Sequence, residues 1–452
     1  MRVLLARGEI ARKVVHIGCV GFAFLLRYMN GGQAAAMAVA AVVFNWQILP
    51  RIGGKALWRG ADHAKGYPLG ILLYPLSVLG LTLWFWSSLW MAAAIWGVLA
   101  VGDGMASVVG QAAGGPPLPW NDRKSWPGFV AFVGFGTLAA AVLIAWTARL
   151  PLDLASWHAG RTVGLAFAVS LACALVESLP TTLDDNLTVP LAGAVVFPLF
   201  AQADPQMLAT DPGLGGRVAA GLLVNAAIAL VAWRARSLDL AGALSAVVIG
   251  TAITAGLGLP SLGLMIAFFV VGTAATRVGH RIKAARGIAE ERAGVRGWRH
   301  AWANGGVPAF IALLAGLTAV PLRDLLVLAY AGAVATAAAD TCSSEVGKAY
   351  GRRTFLITSL RPVPPGTEGA ISLEGTLGGL LGAAIVAAVG AALGVYSWPV
   401  AALVALAGLL GSLAESVIGT VAERRGWLDN NLLNALNTAL GAGFAVLLVE
   451  IL

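Results

Sequence analysis

Residues 89–110 read LWMAAAIWGVLAVGDGMASVVG, from Leu89 to Gly110, and carry a single charge, Asp103. About 20 mainly apolar residues suffice to cross a bilayer as a helix. A carboxylate within such a run costs at least about 2.5–3.5 kcal/mol on insertion scales, so it marks a functional candidate. The rest of the chain has the same character. Hydrophobic residues make up 58% of 452 and charged residues 12%, with a mean hydropathy of +0.82. Soluble domains run at roughly 45–50% apolar and about 25% charged, so a soluble fold is excluded. The fold class expected is all-α, a polytopic transmembrane protein.

Working outward from 89–110, apolar runs fall at about 14–28, 33–49, 67–83, 86–101, 127–147, 162–179, 186–202, 217–233, 238–257, 260–276, 303–320, 324–339, 370–393, 398–418 and 432–451. These predict about 14–15 spans. The basic N-terminal residues (Arg2, Arg7, Arg12, Lys13) precede a run with no convincing cleavage pattern, which reads as a retained first span. The 57 glycines and abundant alanine suit close helix contact in lipid. Cys19, Cys173 and Cys342 show no ligand spacing and read as small core residues.

The net charge of +8 is read as topology rather than as a nucleic-acid footprint. Basic residues concentrate in four loops: Arg51, Lys55, Arg59, His63 and Lys65; Arg123 and Lys124 beside Asp122; Arg277 to His300, with seven Lys/Arg against Glu290 and Glu291; and Lys348, Arg352, Arg353 and Arg361. The positive-inside rule puts these loops on the cytoplasmic side, of a cell inner membrane.

An internal repeat is the strongest signal. Asp103, Ser107 and Gly110 recur as Asp340, Ser344 and Gly347 with identical spacing. Lys124-Ser125-x-x-Gly128 is matched to Gly366-Thr367-Glu368-Gly369, and Glu177-Ser178 to Glu415-Ser416. Asp184-Asp185-Asn186-Leu187 is matched to Asp429-Asn430-Asn431-Leu432. The Asp-to-Glu separations are 74 and 75 residues. Two homologous units are expected, at 1–205 and 237–452, joined by a connecting helix and linker at 206–236.

Asp103, Glu177, Asp340, Glu345 and Glu415 are the acids embedded in apolar sequence. Offsets of 4 and 7 place Asp, Ser and Gly on one helical face. Carboxylates from separate helices suit Mg²⁺, which takes hard oxygen ligands and shares them with phosphates. Lys-Ser-x-x-Gly and Gly-Thr-x-Gly offer hydroxyls, backbone N–H groups and, in the first unit, a cation. This is equipment for phosphoryl or nucleotidyl transfer. Each motif also has a plainer reading: Gly-Asp-Gly as a turn, Lys-Ser as a helix cap beside a snorkelling lysine, and Glu-Ser as half of a buried ion pair or a transporter's proton relay. No Walker A pattern occurs.

At these residues the first half resembles the phytol and dolichol kinase family, through Arg12-Lys13-x-x-His16, the Gly102–Gly110 block, Lys124-Ser125-x-x-Gly128, Glu177, and Asp185-Asn186-Leu187-Thr188-Val189-Pro190-Leu191. The second half resembles the phytyl-phosphate kinase family. It does so through Arg296-Gly297, Asn304-Gly305-Gly306, Asp340 to Gly347 with Ser344 and Glu345, Gly366 to Ser372, Glu415-Ser416, and Asn430-Asn431-x-x-Asn434. Glu368 stands where that family has a small residue, and Glu415 where it more often has Asp.

The resemblance implies two successive kinases. An isoprenoid alcohol would become its monophosphate and then its diphosphate, with CTP or another nucleoside triphosphate as donor and Mg²⁺ bound by Asp103, Glu177, Asp340 and Glu415. Asp185 and Glu345 join these four as catalytic candidates, and Asp103 or Asp185 is the base for the alcohol. Nucleotide and phosphate contacts fall to Arg12, Lys13, His16, Ser107, Lys124, Ser125, Asn186, Arg296, Asn304, Ser344, Lys348, Thr367, Asn430, Asn431 and Asn434. The partners implied are the bilayer, the isoprenoid alcohol and its phosphate, and the nucleotide; a homo-oligomer is compatible with this reading. The alternatives are a CTP-dependent lipid-phosphate cytidylyltransferase and a secondary transporter, whose duplicated units also carry intramembrane acids.

Overall fold

The computed structural model describes residues 7–52, 58, 66–150, 157–288, 295–423 and 425–451. Arg2, Lys55, Arg59, His63, Lys65, Glu290, Glu291 and Arg292 of the basic stretches lie outside the described residues. Among the described residues the chain is mostly helical, with one short antiparallel strand pair in each of two compact units, Met1–Gln202 and Ala203–Leu452. Segment 206–236, expected as a connector, lies within the second unit. Its helix Leu214–Arg234 packs against Leu240–Leu257, where Asn225 faces Gly250 at a distance no Cβ would allow.

Every apolar run in the sequence is helical, but not every helix spans. Eleven helices among the described residues are long and apolar enough to cross a membrane. Leu69–Trp84 and Asp185–Ala201 are apolar but shorter. The 14–28 run breaks into Arg7–Gly18, Val20–Ala23 and a 3₁₀ turn Phe24–Tyr28. Trp298–Gly316 is long enough, but its Trp-Arg-His start lowers its apolarity. The count of 14–15 thus falls to 11 because apolar composition sets the environment, whereas length and continuity decide spanning.

Two helices lie at the centres of their units. Leu89–Ala113 and Leu322–Tyr350 each have 72% of their apolar window buried, against 50% or less in the other nine. Their sequences explain this. Ala92-Ala93-Ala94-Ile95 and Ala331 to Ala339 are buried all round, and small side chains let neighbouring backbones close in. These central helices carry Asp103 and Asp340. Leu89–Ala113 is not uniformly α-helical: Val98–Asp103 forms a π-helical turn that ends on Asp103. Such insertions are rare and concentrate at functional sites.

Candidate active sites

In the first unit, three segments bring acids together. Asp103 closes the π turn, Glu177 ends helix Trp157–Glu177, and Asp185 opens helix Asp185–Ala201. The last begins there because Asp184 caps it, accepting the Asn186 backbone N–H at 3.0 Å. One carboxylate oxygen from each of Asp103, Glu177 and Asp185 lies within 4.8 Å of the others. Asp103 and Glu177 are buried, and Asp185 is half-buried.

Cations answer this charge. Lys13 approaches Asp103 at 3.5 Å and His16 at 3.3 Å. His16 Nε2 also lies 3.0 Å from the Leu99 carbonyl, which can only accept, so Nε2 carries the proton. Lys124 bonds Glu177 and reaches Asp185 at 3.8 Å. Burial works against its ammonium, yet Glu177 and Asp185 outweigh burial and hold it above the ordinary lysine value.

The first hairpin, Pro117–Leu118 paired with Asn121–Ser125, delivers Lys124. It hangs on the end of the Glu177 helix: Trp120 Nε1 donates to Ser178 Oγ at 3.0 Å, and Asn121 Nδ2 to the Ser178 carbonyl at 3.0 Å. Trp120 and Asn121 carry no motif, and only their partners 57 and 58 residues away reveal their task.

A cavity of about 270 Å³ opens beside the acids, lined by Arg12, Lys13, His16, Asp103, Asp185 and Asn186 among others. Tyr74 also lines it, edge-on to His16 at 4.8 Å. Asn186 donates to the Gly70 carbonyl at 3.3 Å and to Asp184 at 2.8 Å, while its own amide oxygen is buried without a hydrogen-bond partner. Ser107 and Ser125 do not line the cavity. Ser125 caps helix Trp126–Thr147 by accepting the Gly128 N–H at 3.4 Å, which is the plainer of the two roles expected for Lys-Ser.

In the second unit, Asp340, Ser344, Lys348, Thr367, Glu415 and Asn430 line one cavity of about 320 Å³. Here carboxyl meets carboxyl: Asp340 is in hydrogen-bond contact with Glu415. Glu423 makes the same contact with Glu368, and both line the cavity. Glu423, just past the end of Trp398–Ala422, is pushed up to about 7 by burial and by Glu368. Lys348 is the basic residue of that lining. Arg352 and Arg353 are exposed and absent from it.

Other expected residues fall elsewhere. Glu345 is buried against Lys283, itself 1% exposed, with Lys348 at 4.0 Å. Lys283 also donates to the Thr276 carbonyl at 2.8 Å, which makes this a buried ion pair rather than part of the cavity. Arg296 and Asn304 line a different, apolar cavity. Asn431 and Asn434 line neither, and the Asn431 amide oxygen is buried without a hydrogen-bond partner.

The geometry also revises one correspondence in the repeat. Ser372 caps helix Leu373–Ala392 through the Gly375 N–H at 3.1 Å, as Ser125 does through Gly128. A Cβ on Gly128 would meet the Ala106 carbonyl at 3.0 Å, and one on Gly375 the Ser343 carbonyl at 2.8 Å. Ala106 and Ser343 each lie three residues after the aspartate. Ser125-x-x-Gly128 therefore corresponds locally to Ser372-x-x-Gly375, and not to Gly366–Gly369. The position of Lys124 then falls on Ile371, and that of Asp185 on Asn430.

The oxygen donors of the first unit lie close enough together to hold a divalent cation. In the first unit three carboxylates converge near a partnerless amide oxygen. In the second, two carboxyls in contact need either a shared proton or a cation between them.

The description "Integral membrane protein DUF92" matches residues 223–442. An uncharacterized membrane protein of Synechocystis sp. is 43% identical over 200 residues, which cover 44% of this chain and 78% of that protein. A probable chloroplastic phytol kinase of Triticum aestivum is 35% identical over 209 residues, 43% of this chain and 69% of that one. A chloroplastic farnesol kinase of Arabidopsis thaliana is 32% identical over 207 residues, 42% of this chain and 66% of that one. No solved structure matches the chain. With 11 candidate spans and these relatives, the chain belongs to the integral membrane protein DUF92 family.

Proposed function

We propose that the chain is a bifunctional membrane isoprenoid kinase, in which the first unit phosphorylates an isoprenoid alcohol and the second phosphorylates the resulting monophosphate. The observation that carries this reading is the meeting of Asp103, Glu177 and Asp185 within 4.8 Å, beside a cavity that also presents Arg12, Lys13 and His16. Relatives named as phytol and farnesol kinases support the substrate class. The donor is CTP or another nucleoside triphosphate. A Mg²⁺ ion held by Asp103 and Glu177, and another by Asp340 and Glu415, would neutralise phosphate charge.

In the first step the alcohol oxygen bonds to the γ-phosphorus, the bond from that phosphorus to the β–γ bridging oxygen breaks, and the nucleoside diphosphate leaves. The hydroxyl proton must go to a base. Asp185, the least buried of the three acids and one that lines the cavity, takes it. Lys124 holds Glu177 and Asp185 in place, and Arg12 and Lys13 draw phosphate oxygens to the cavity wall.

In the second step a phosphate oxygen of the monoester attacks. It is already anionic, so no base is needed, and Lys348, Ser344 and Thr367 orient the phosphates. A C20 chain stays in the bilayer, at about 0.8 kcal/mol per buried CH₂. The chemistry therefore takes place at the interface, on the cytoplasmic side that the basic loops mark.

The test is purified protein with γ-labelled CTP and a panel of prenols. Prenyl mono- and diphosphate with CDP are expected. Pyrophosphate with a CMP-lipid would make the protein a cytidylyltransferase, and no turnover of any prenol would overturn the reading.

A further inference from the structure

A second cavity in the second unit, of about 100 Å³, lies among helices Leu214–Arg234, Leu240–Leu257, Leu259–Arg277 and Trp298–Gly316. Its walls are apolar, with Ile249, Leu262, Met265 and Phe268 among them. Polar groups gather where Trp298–Gly316 begins: His300 and Asn304, four apart, share one face of the helix, and Arg296 lies in the extended backbone just before the N-cap Gly297. Asn225, deeper in the wall, is satisfied by its own helix, donating to the Gly221 carbonyl at 2.7 Å.

Arg296 is fixed at the polar end. Its backbone N–H donates to the Ser237 carbonyl at 3.0 Å, and its carbonyl accepts the Asp239 N–H at 3.2 Å. Its guanidinium and the Thr341 methyl both come within 3.5 Å of the space beside Gly272, so it adjoins the residue that follows Asp340. An apolar cleft with the Arg296 guanidinium at one end complements an amphiphile with an anionic head. Among the wall residues no other charge is present.

We propose that this cavity takes the first isoprene unit of a prenyl monophosphate, with its phosphate held by Arg296 and His300 and pointed toward Asp340. The proposal rests on the kinase reading of the second unit. A cavity of about 150 Å³ admits benzene, so about 100 Å³ suits one five-carbon unit, with the rest of the chain continuing into lipid.

The test is photolabelling of the full chain in detergent by geranyl monophosphate carrying a diazirine on its first isoprene unit, alongside steady-state kinetics. Label is expected on Met265 and Phe269, and is lost in Ala246→Phe, which fills the cavity, and in Arg296→Gln. In Ala246→Phe the KM for prenyl monophosphate should rise about tenfold while the KM for CTP is unmoved. The unmoved KM for CTP in the second step shows that the second unit of the variant has folded. Label elsewhere in the wild-type protein, or undiminished in both variants, overturns the cavity even if the protein is a kinase. Label in the cavity without any turnover of prenyl phosphate would keep the cavity and overturn the kinase reading.

Discussion

The two acid clusters resemble each other in sequence and differ in how their charge is balanced. Around Asp103, each carboxylate has a cation: Lys13 and His16 at Asp103, and Lys124 between Glu177 and Asp185. Around Asp340, acid faces acid, at Asp340–Glu415 and again at Glu368–Glu423. The local register explains the contrast, since Lys124 is replaced by Ile371 and Asp185 by Asn430. The first cluster is compensated by its own side chains and keeps an acid to act as base. In the second, Lys348 is the basic residue of the lining, and the paired carboxyls call for a shared proton or a cation between them; under the proposed function its anionic nucleophile would need no base.

The largest effect should come from Lys124→Ala, which leaves Glu177 buried without its partner. Breaking a buried pair costs about 3–5 kcal/mol. The partial exposure of Lys124 places the expected loss toward the lower end, read as a fall in thermal midpoint, together with loss of the first step. A stable, active Lys124→Ala protein would break the comparison.

Glu415→Gln should act with the opposite sign on stability. In EDTA it removes a like-charge contact and raises the midpoint by a few degrees, at about 2–4 °C per kcal/mol, while the second step is lost. Thermal shift of the two variants side by side checks both signs.

A subtler probe is Ile371→Lys, which gives the second cluster the first one's cation. The Mg²⁺ concentration for half-maximal second-step rate should change severalfold while the first step does not move.

The smallest effect concerns pH. Glu423 is raised to about 7, so it is protonated below that value and ionises above it. From pH 6 to pH 8 the second cavity gains negative charge, and less Mg²⁺ should then saturate the second step. Glu423→Gln should flatten that dependence.

Much of this was legible beforehand. All 15 apolar runs are helices, and the Asp-x-x-x-Ser-x-x-Gly spacing found the two central helices, because both signals depend on neighbours within a turn or two. The acid cluster of the first unit also followed from motifs. What failed was distance along the chain. From Gly110 to Ser125 is 15 residues and from Gly347 to Ser372 is 25, so a search by spacing settled on Gly366–Gly369 and passed over the true cap. The Ser-x-x-Gly pattern at 372 was the available signal. Lys283, Trp120 and Tyr74 could not be found this way, because their roles depend on partners 58 to 62 residues off.

The central claim is that each cluster performs its own phosphoryl transfer. The direct measurement is product analysis with γ-labelled CTP in Asp103→Asn and Asp340→Asn. Losses on the order of 10²–10³-fold are typical when one electrostatic group of a site is removed. Asp103→Asn should lose the first step by such a factor and still convert added prenyl monophosphate to diphosphate. Asp340→Asn should accumulate monophosphate from the free alcohol. If either substitution stops both steps, the two clusters form one site and the account is contradicted.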